Sequence, residues 1–148
     1  MPASIPPELT FEQVVQNTPQ STTSIDFGAG SPVNEPVELG PIRIIISNDA
    51  NSVAALQPIC YVGGSDAEIV GTIDNEWTQM KNINHNGIAV SDTYTPVSYS
   101  NTHNYKPMPT NSLEPGTYVT VDAKLIIPQD TDGGQYEWDY ILEYMYSI

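Results

Sequence analysis

Two stretches near the end of the chain, "TYVTVDAKLII" at 117–127 and "QYEWDYILEYMYSI" at 135–148, alternate apolar and polar residues with a period of two. In the first, Val119, Val121, Ala123, Leu125 and Ile127 fall on one side, with Tyr118, Thr120, Asp122 and Lys124 on the other. In the second, Tyr136, Trp138, Tyr140, Leu142, Tyr144 and Tyr146 share a face opposite Glu137, Asp139 and Glu143. Such alternation cannot lay an apolar stripe along a helix, but it matches a strand that buries one face. The turn formers of "PQDTDGG" between the two stretches predict a hairpin. If both apolar faces point the same way, Leu125 opposes Trp138, Ala123 opposes Tyr140, Val121 opposes Leu142, and Lys124 meets Asp139.

The rest of the chain continues in this vein. Short β-prone runs stand at 23–27, 42–47, 58–62, 67–73, 87–91 and 94–99, separated by Gly, Pro, Asn and Asp. None precedes a helix long enough for a parallel crossover; "DANSVAALQ" at 49–57 has room for a turn or two before Pro58. The expected fold is all-β, a single antiparallel β-sandwich of jelly-roll or immunoglobulin-like type over residues 23–148. Residues 1–22, with Pro2, Pro6, Pro7 and Pro19, read as an N-terminal docking arm. Within it "LTFEQVVQN" predicts one short helix, capped by Thr10 and Gln13, with Phe11, Val14 and Val15 on its contact face.

Charge narrows the partners. Eighteen acidic residues face only Arg43, Lys81, Lys106 and Lys124, a formal charge of −14 on 148 residues. Polyanions are repelled, so neither nucleic acid nor an acidic membrane surface is an expected partner. The opening "MPASIPPELTF" lacks a basic, then apolar, leader pattern, and synthesis in a cytosol is expected. Cys60, the single cysteine, sits in the apolar run "PICYV" and reads as a buried structural thiol.

No run of residues carries a catalytic signature. His85 and His103 stand in polar stretches without close metal-ligand spacing and read as exposed loop residues. "DTDGG" resembles the first half of a calcium loop, but Ile141 stands where the later bidentate carboxylate belongs, so a turn is the better reading. Glu137, Asp139 and Glu143 share one strand face, as a solvated row does, and "VGGSDAE" at 62–68 reads as a glycine turn. No cofactor, metal or catalytic residue is expected. The most distinctive segment is 98–116, where Tyr99, His103, Tyr105, Lys106 and Met108 form a candidate binding loop.

These observations lead to a non-enzymatic structural protein of a larger assembly. Its most specific form is a bacteriophage capsid decoration (cement) protein on the outer virion surface, made in the host cytoplasm. It would bind capsid or other assembly subunits through the arm residues Phe11, Val14 and Val15 and through sheet edges, with self-association. The alternative is a carbohydrate-binding or adhesion module, lectin-like or pilin-like, with Trp77, Tyr99 and Tyr105 stacking on sugars.

Overall fold

The computed structural model describes residues 5–21, 24–30, 35–90, 93–99, 105 and 112–147. Their strands are β1 (Leu9–Val15), β2 (Thr18–Ser21), β3 (Val37–Asn48), β4 (Ala55–Gly63), β5 (Thr78–His85), β6 (Ile88–Ala89), β7 (Thr95–Pro96), β8 (Ser112–Leu113), β9 (Tyr118–Ile127) and β10 (Asp139–Met145). One short helix, α1 (Ala67–Val70), joins β4 to β5. A seven-stranded sheet runs β2-β1-β3-β9-β5-β6, with β7 also on β5, and a three-stranded sheet runs β10-β4-β8. Every strand-to-strand ladder is antiparallel, so the chain is all-β.

The sheets share one core. The large sheet contributes Ile44, Ile46, Met80, Val119, Val121, Ala123 and Leu125; the small one contributes Ala55, Cys60, Val62 and Leu113, with Tyr140, Leu142 and Tyr144 packed against them. Each large apolar side chain buried there is worth about 1.5–3 kcal/mol. The rings of the terminal stretch do face inward as the alternation requires, down to Tyr144, while Tyr146 is 47% exposed.

The predicted β9–β10 hairpin does not form. β9 lies between β3 and β5, with Ala123 paired to Ile42 and Met80, and β10 pairs with β4, setting Tyr140 beside Val62 and Leu142 beside Cys60. Two strands whose apolar faces converge on one core can be sheet neighbours or can face each other across it. Both edges of β9 are already occupied, so β10 takes the second option. Lys124 accordingly meets Glu38 (Nζ to Oε2, 3.6 Å) rather than Asp139.

The short helix expected near the N-terminus is also replaced. Leu9–Val15 is a strand, turned back onto β2 through Gln16 and Asn17, both with positive φ (51° and 66°). Successive left-handed residues match the twist of a two-residue hairpin, and β1 then saturates the edge of β3, with Phe11 beside Ile46 and Gln13 beside Ile44. A lone helical turn would leave that edge bare. The same geometry separates Val14 from Phe11 and Val15, because neighbours along a strand point to opposite faces.

Three smaller expectations change as well. Residues 67–73 hold α1 rather than a strand: Ala67 and Val70, one helical turn apart, are buried, while Ile69 is 49% exposed. Residues 49–57 hold no helix, with 49–54 forming a turn and 55–57 already in β4, and residues 24–27 run outside both sheets. The Asn86–Gly87 turn joining β5 to β6, with φ of 56° and 85°, is a two-residue hairpin for which Asn-Gly is the favoured pair.

The outer face of the large sheet gathers charge. Asp122 is in register with Arg43 on one side and Lys81 on the other, and Arg43 Nε and Nη2 donate to its two carboxylate oxygens at 3.0 and 3.3 Å. The Lys81 and Lys124 ammonium groups lie 4.7 and 4.1 Å from the centre of the Tyr94 ring. Hydrogen bonding to Asp122 is the main reason the Arg43 pKa is raised.

Candidate functional site

The small sheet has fewer strands than the large one, and beside β10 the space between them opens into a cleft of about 910 Å³. Its floor is the core itself: Ile44 and Ile46 of β3, Met80 of β5, Val121 and Leu125 of β9 and Cys60 of β4. Two connections form its walls, residues 24–30 before β3 and residues 131–138 before β10. Ile25 and Phe27 alternate with the exposed Ser24 and Asp26, which turns the apolar side of this non-sheet segment inward.

The walls are aromatic. Phe27 stacks on Trp138 (centroids 6.0 Å, planes 21° apart), Trp138 meets Tyr140 edge to face (6.3 Å, 88°), and Trp77 meets Tyr136 likewise (5.0 Å, 63°). Offset and edge-to-face pairs of this kind contribute about 0.5–1.5 kcal/mol beyond area burial. Several hydrogen bonds hold the rings. Tyr136 Oη donates to Asp132 O at 2.6 Å, Tyr140 shares a hydrogen bond with Thr78 Oγ1, and Trp77 is tied by its backbone to Val70 and Ile126. Glu137 N donates to Asp66 Oδ2 at 2.8 Å while Asp66 N donates to Glu137 O at 3.0 Å, which clamps the β9–β10 connection to the start of α1.

The polar rim is acidic. Asp26, Asp132, Glu137 and Asp139 line the cleft and are exposed, and none has a salt bridge among the described residues. No described lining residue is basic, since Arg43, Lys81 and Lys124 are engaged on the outer face of the large sheet. Both tryptophans of the chain, Trp77 and Trp138, line this cleft.

Cys60 lies on the floor, buried as the sequence predicts, and desolvation pushes its thiol up to about 12. Burial likewise raises Tyr105 and Tyr140 above the ordinary tyrosine value. From the ordinary thiol value of 9.0 up to about 12, the unfolded chain ionises Cys60 while the folded chain keeps the proton. Stability therefore falls as pH rises through that window. A disulfide reagent at pH 8 should modify Cys60 only at the rate of unfolding; rapid stoichiometric modification of the native protein would contradict its burial.

The residues singled out in the sequence are dispersed. Phe11 and Val15 stand on β1, 38% and 40% exposed, and Val14 on the opposite face. Tyr99 is 39% exposed, its N–H donating to Gly71 O. Tyr105 is interior, 4% exposed, with its hydroxyl donating to Asn82 Oδ1 at 2.7 Å and its carbonyl accepting from Cys60 N. It therefore cannot serve as a surface contact, and neither can Trp77, 6% exposed. His103, Lys106 and Met108 lie outside the described residues. His85 ends β5 instead of standing in an exposed loop, and its Nε2 is buried without a hydrogen-bond partner among the described residues.

Among the described residues, no group of three or more His, Cys, Asp or Glu is placed to hold a metal ion, and no helix is long and apolar enough to cross a membrane. Missed in the sequence was the convergence of Phe27 with Tyr136 and Trp138 at one opening. The alternating rings of 136–144 were the available signal, but nothing in that pattern distinguishes a closed core from a cleft. In comparisons with protein families, curated proteins and solved structures, none matches this chain.

Proposed function

We propose that this protein is a non-enzymatic structural subunit of a larger assembly, with a decoration role on the outer surface of a bacteriophage capsid as the most specific form. Its two sheets are read as a sandwich whose unequal layers leave part of the larger one free for contacts. The observation that carries this reading is the overhang of the β1–β2 hairpin. Pairing of Phe11 with Ile46 turns Phe11, and Val15 with it, to the inward side of the large sheet, yet both remain more than a third exposed. Apolar side chains on an inward-facing surface that the smaller layer leaves partly uncovered, with Phe11 at the border of the aromatic cleft, suit a contact with a capsid subunit or a second copy. The free edges of β2 and β10 among the described strands offer backbone pairing beside it. Formal charge of −14 suits an outward position and disfavours contact with nucleic acid or an acidic membrane.

The carbohydrate or adhesion alternative loses two of its sugar-stacking residues, because Trp77 and Tyr105 are interior. A double substitution, Phe11→Asp with Val15→Asp, separates contact from folding. Sedimentation velocity of the unaltered protein should show concentration-dependent association, and the double variant should run as a monomer while melting within a few degrees of the parent. A parent that stays monomeric at high concentration, or a variant that associates equally well, would remove the overhang as a contact surface. Capsid and portal genes flanking this one would support the virion form; a flanking secretion chaperone would count against it.

A further inference from the structure

We propose that the aromatic cleft beside β10 is a binding site for a small organic cation, a quaternary or protonated amine attached to a flat apolar body. This goes beyond the assembly reading and does not depend on it.

Size, wall chemistry and charge converge on that class. About 910 Å³ lies within the range of small-molecule sites, roughly 300–1,000 Å³. The walls offer the partly exposed rings of Phe27, Tyr136, Trp138 and Tyr140, with Trp77 buried behind Tyr136, a setting that favours an apolar body over a polyhydroxylated one. Ring faces attract cations through their quadrupoles, most strongly for tryptophan. Four exposed carboxylates, Asp26, Asp132, Glu137 and Asp139, belong to the segments that line the cleft; Glu137 and Asp139 alternate with the inward Trp138 and Tyr140, so they act on a cation in the cleft through their field rather than by contact, and no described lining residue is basic.

Elsewhere the protein treats its own cations in the same way. On the outer face, the ammonium groups of Lys81 and Lys124 sit over Tyr94 with carboxylates close by, so ring and carboxylate together already hold amines there. Anionic ligands such as fatty acids or nucleotides meet a rim of their own sign.

Because both tryptophans line the cleft, intrinsic fluorescence reports on it without labelling. The unaltered protein is titrated at low salt with benzyltrimethylammonium, with benzenesulfonate, and with methyl β-glucoside. A saturable change with the cation is expected, with Kd on the order of 10⁻⁴ M, and no saturable change with the sulfonate. Added salt should weaken the interaction by screening. Glu137→Gln combined with Asp139→Asn, which keeps side-chain shape and removes two nearby charges, should weaken cation binding about threefold with little change in melting temperature. No saturable response to the cation would overturn the proposal. So would equal binding of the sulfonate, tighter binding of the glucoside, or an unchanged Kd in the charge-neutralised variant.

Discussion

Replacing Asn48 by aspartate should cost the fold about 3–5 kcal/mol, enough to leave an ordinary domain close to unfolding at room temperature. Asn48 is 3% exposed at the end of β3. Its Nδ2 donates to Val53 O and to Leu113 O, each at 3.0 Å, and its Oδ1 accepts from Ser52 Oγ at 2.7 Å. One amide thus joins the end of the large sheet, the turn into β4 and the β8 strand of the small sheet. Aspartate keeps the shape but sets an oxygen where the amide nitrogen made both donations, so the buried Leu113 carbonyl and the part-buried Val53 carbonyl, left with Ser52 Oγ at 3.3 Å, face a like partial charge.

Asn48→Ala removes the same donors without adding charge and should be less damaging near neutral pH. The gap between the two variants should narrow in acid, where the carboxyl takes up a proton and regains one donor. Urea denaturation of both variants from pH 4 to pH 8 measures this. An aspartate variant within about 1 kcal/mol of the parent would mean that the amide does not tie these segments together.

Gly71→Ala should destabilise by about 2–3 kcal/mol through contact with the Tyr99 backbone and its Cβ. Gly71 closes α1, donating its N–H to Ala67 O at 2.8 Å and accepting from Tyr99 N at 2.9 Å. A Cβ there would lie 2.5 Å from Tyr99 N, 2.8 Å from its Cβ and 2.9 Å from its Cα. The residue has φ of −117°, which alanine adopts freely, so the cost is steric rather than conformational. Relief requires moving the Tyr99 backbone, hence the adjacent Ser98 carbonyl that accepts from Val62 N on β4. Gly133→Ala is the control, since nothing lies within 4 Å of an added Cβ there, and its melting curve should superimpose on the parent. If the two variants melt alike, Gly71 and Tyr99 are not in contact.

Gly71 also shows where reading a sequence stops. "AEIVGTI" has the composition of a strand, and the isolated glycine within it is compatible with a bulge. That it ends a helical turn with another backbone pressed against it depends on residues 98 and 99, far away in sequence. Tyr105 makes the same point: among Asn, Lys and Pro it reads as a loop contact, yet it pairs with Cys60 and buries its hydroxyl against Asn82. Cys60, surrounded locally by apolar residues, was legible because its own neighbours already specified the interior. The cleft was partly legible, as a row of rings on one face, without any sign that the opposite layer ends short of covering them.

The sequence by itself determined the all-β class and which side of the terminal strands turns inward, because side chains alternate across a strand whatever lies beside it. Only the tertiary structure decided which strands are neighbours. Ladder hydrogen bonds join backbone groups common to every residue, so β10 could satisfy its apolar face beside β9 or opposite it. The choice fell to β3 and β5, which occupy both edges of β9, and the smaller sheet left facing it is what opens the aromatic cleft and uncovers Phe11.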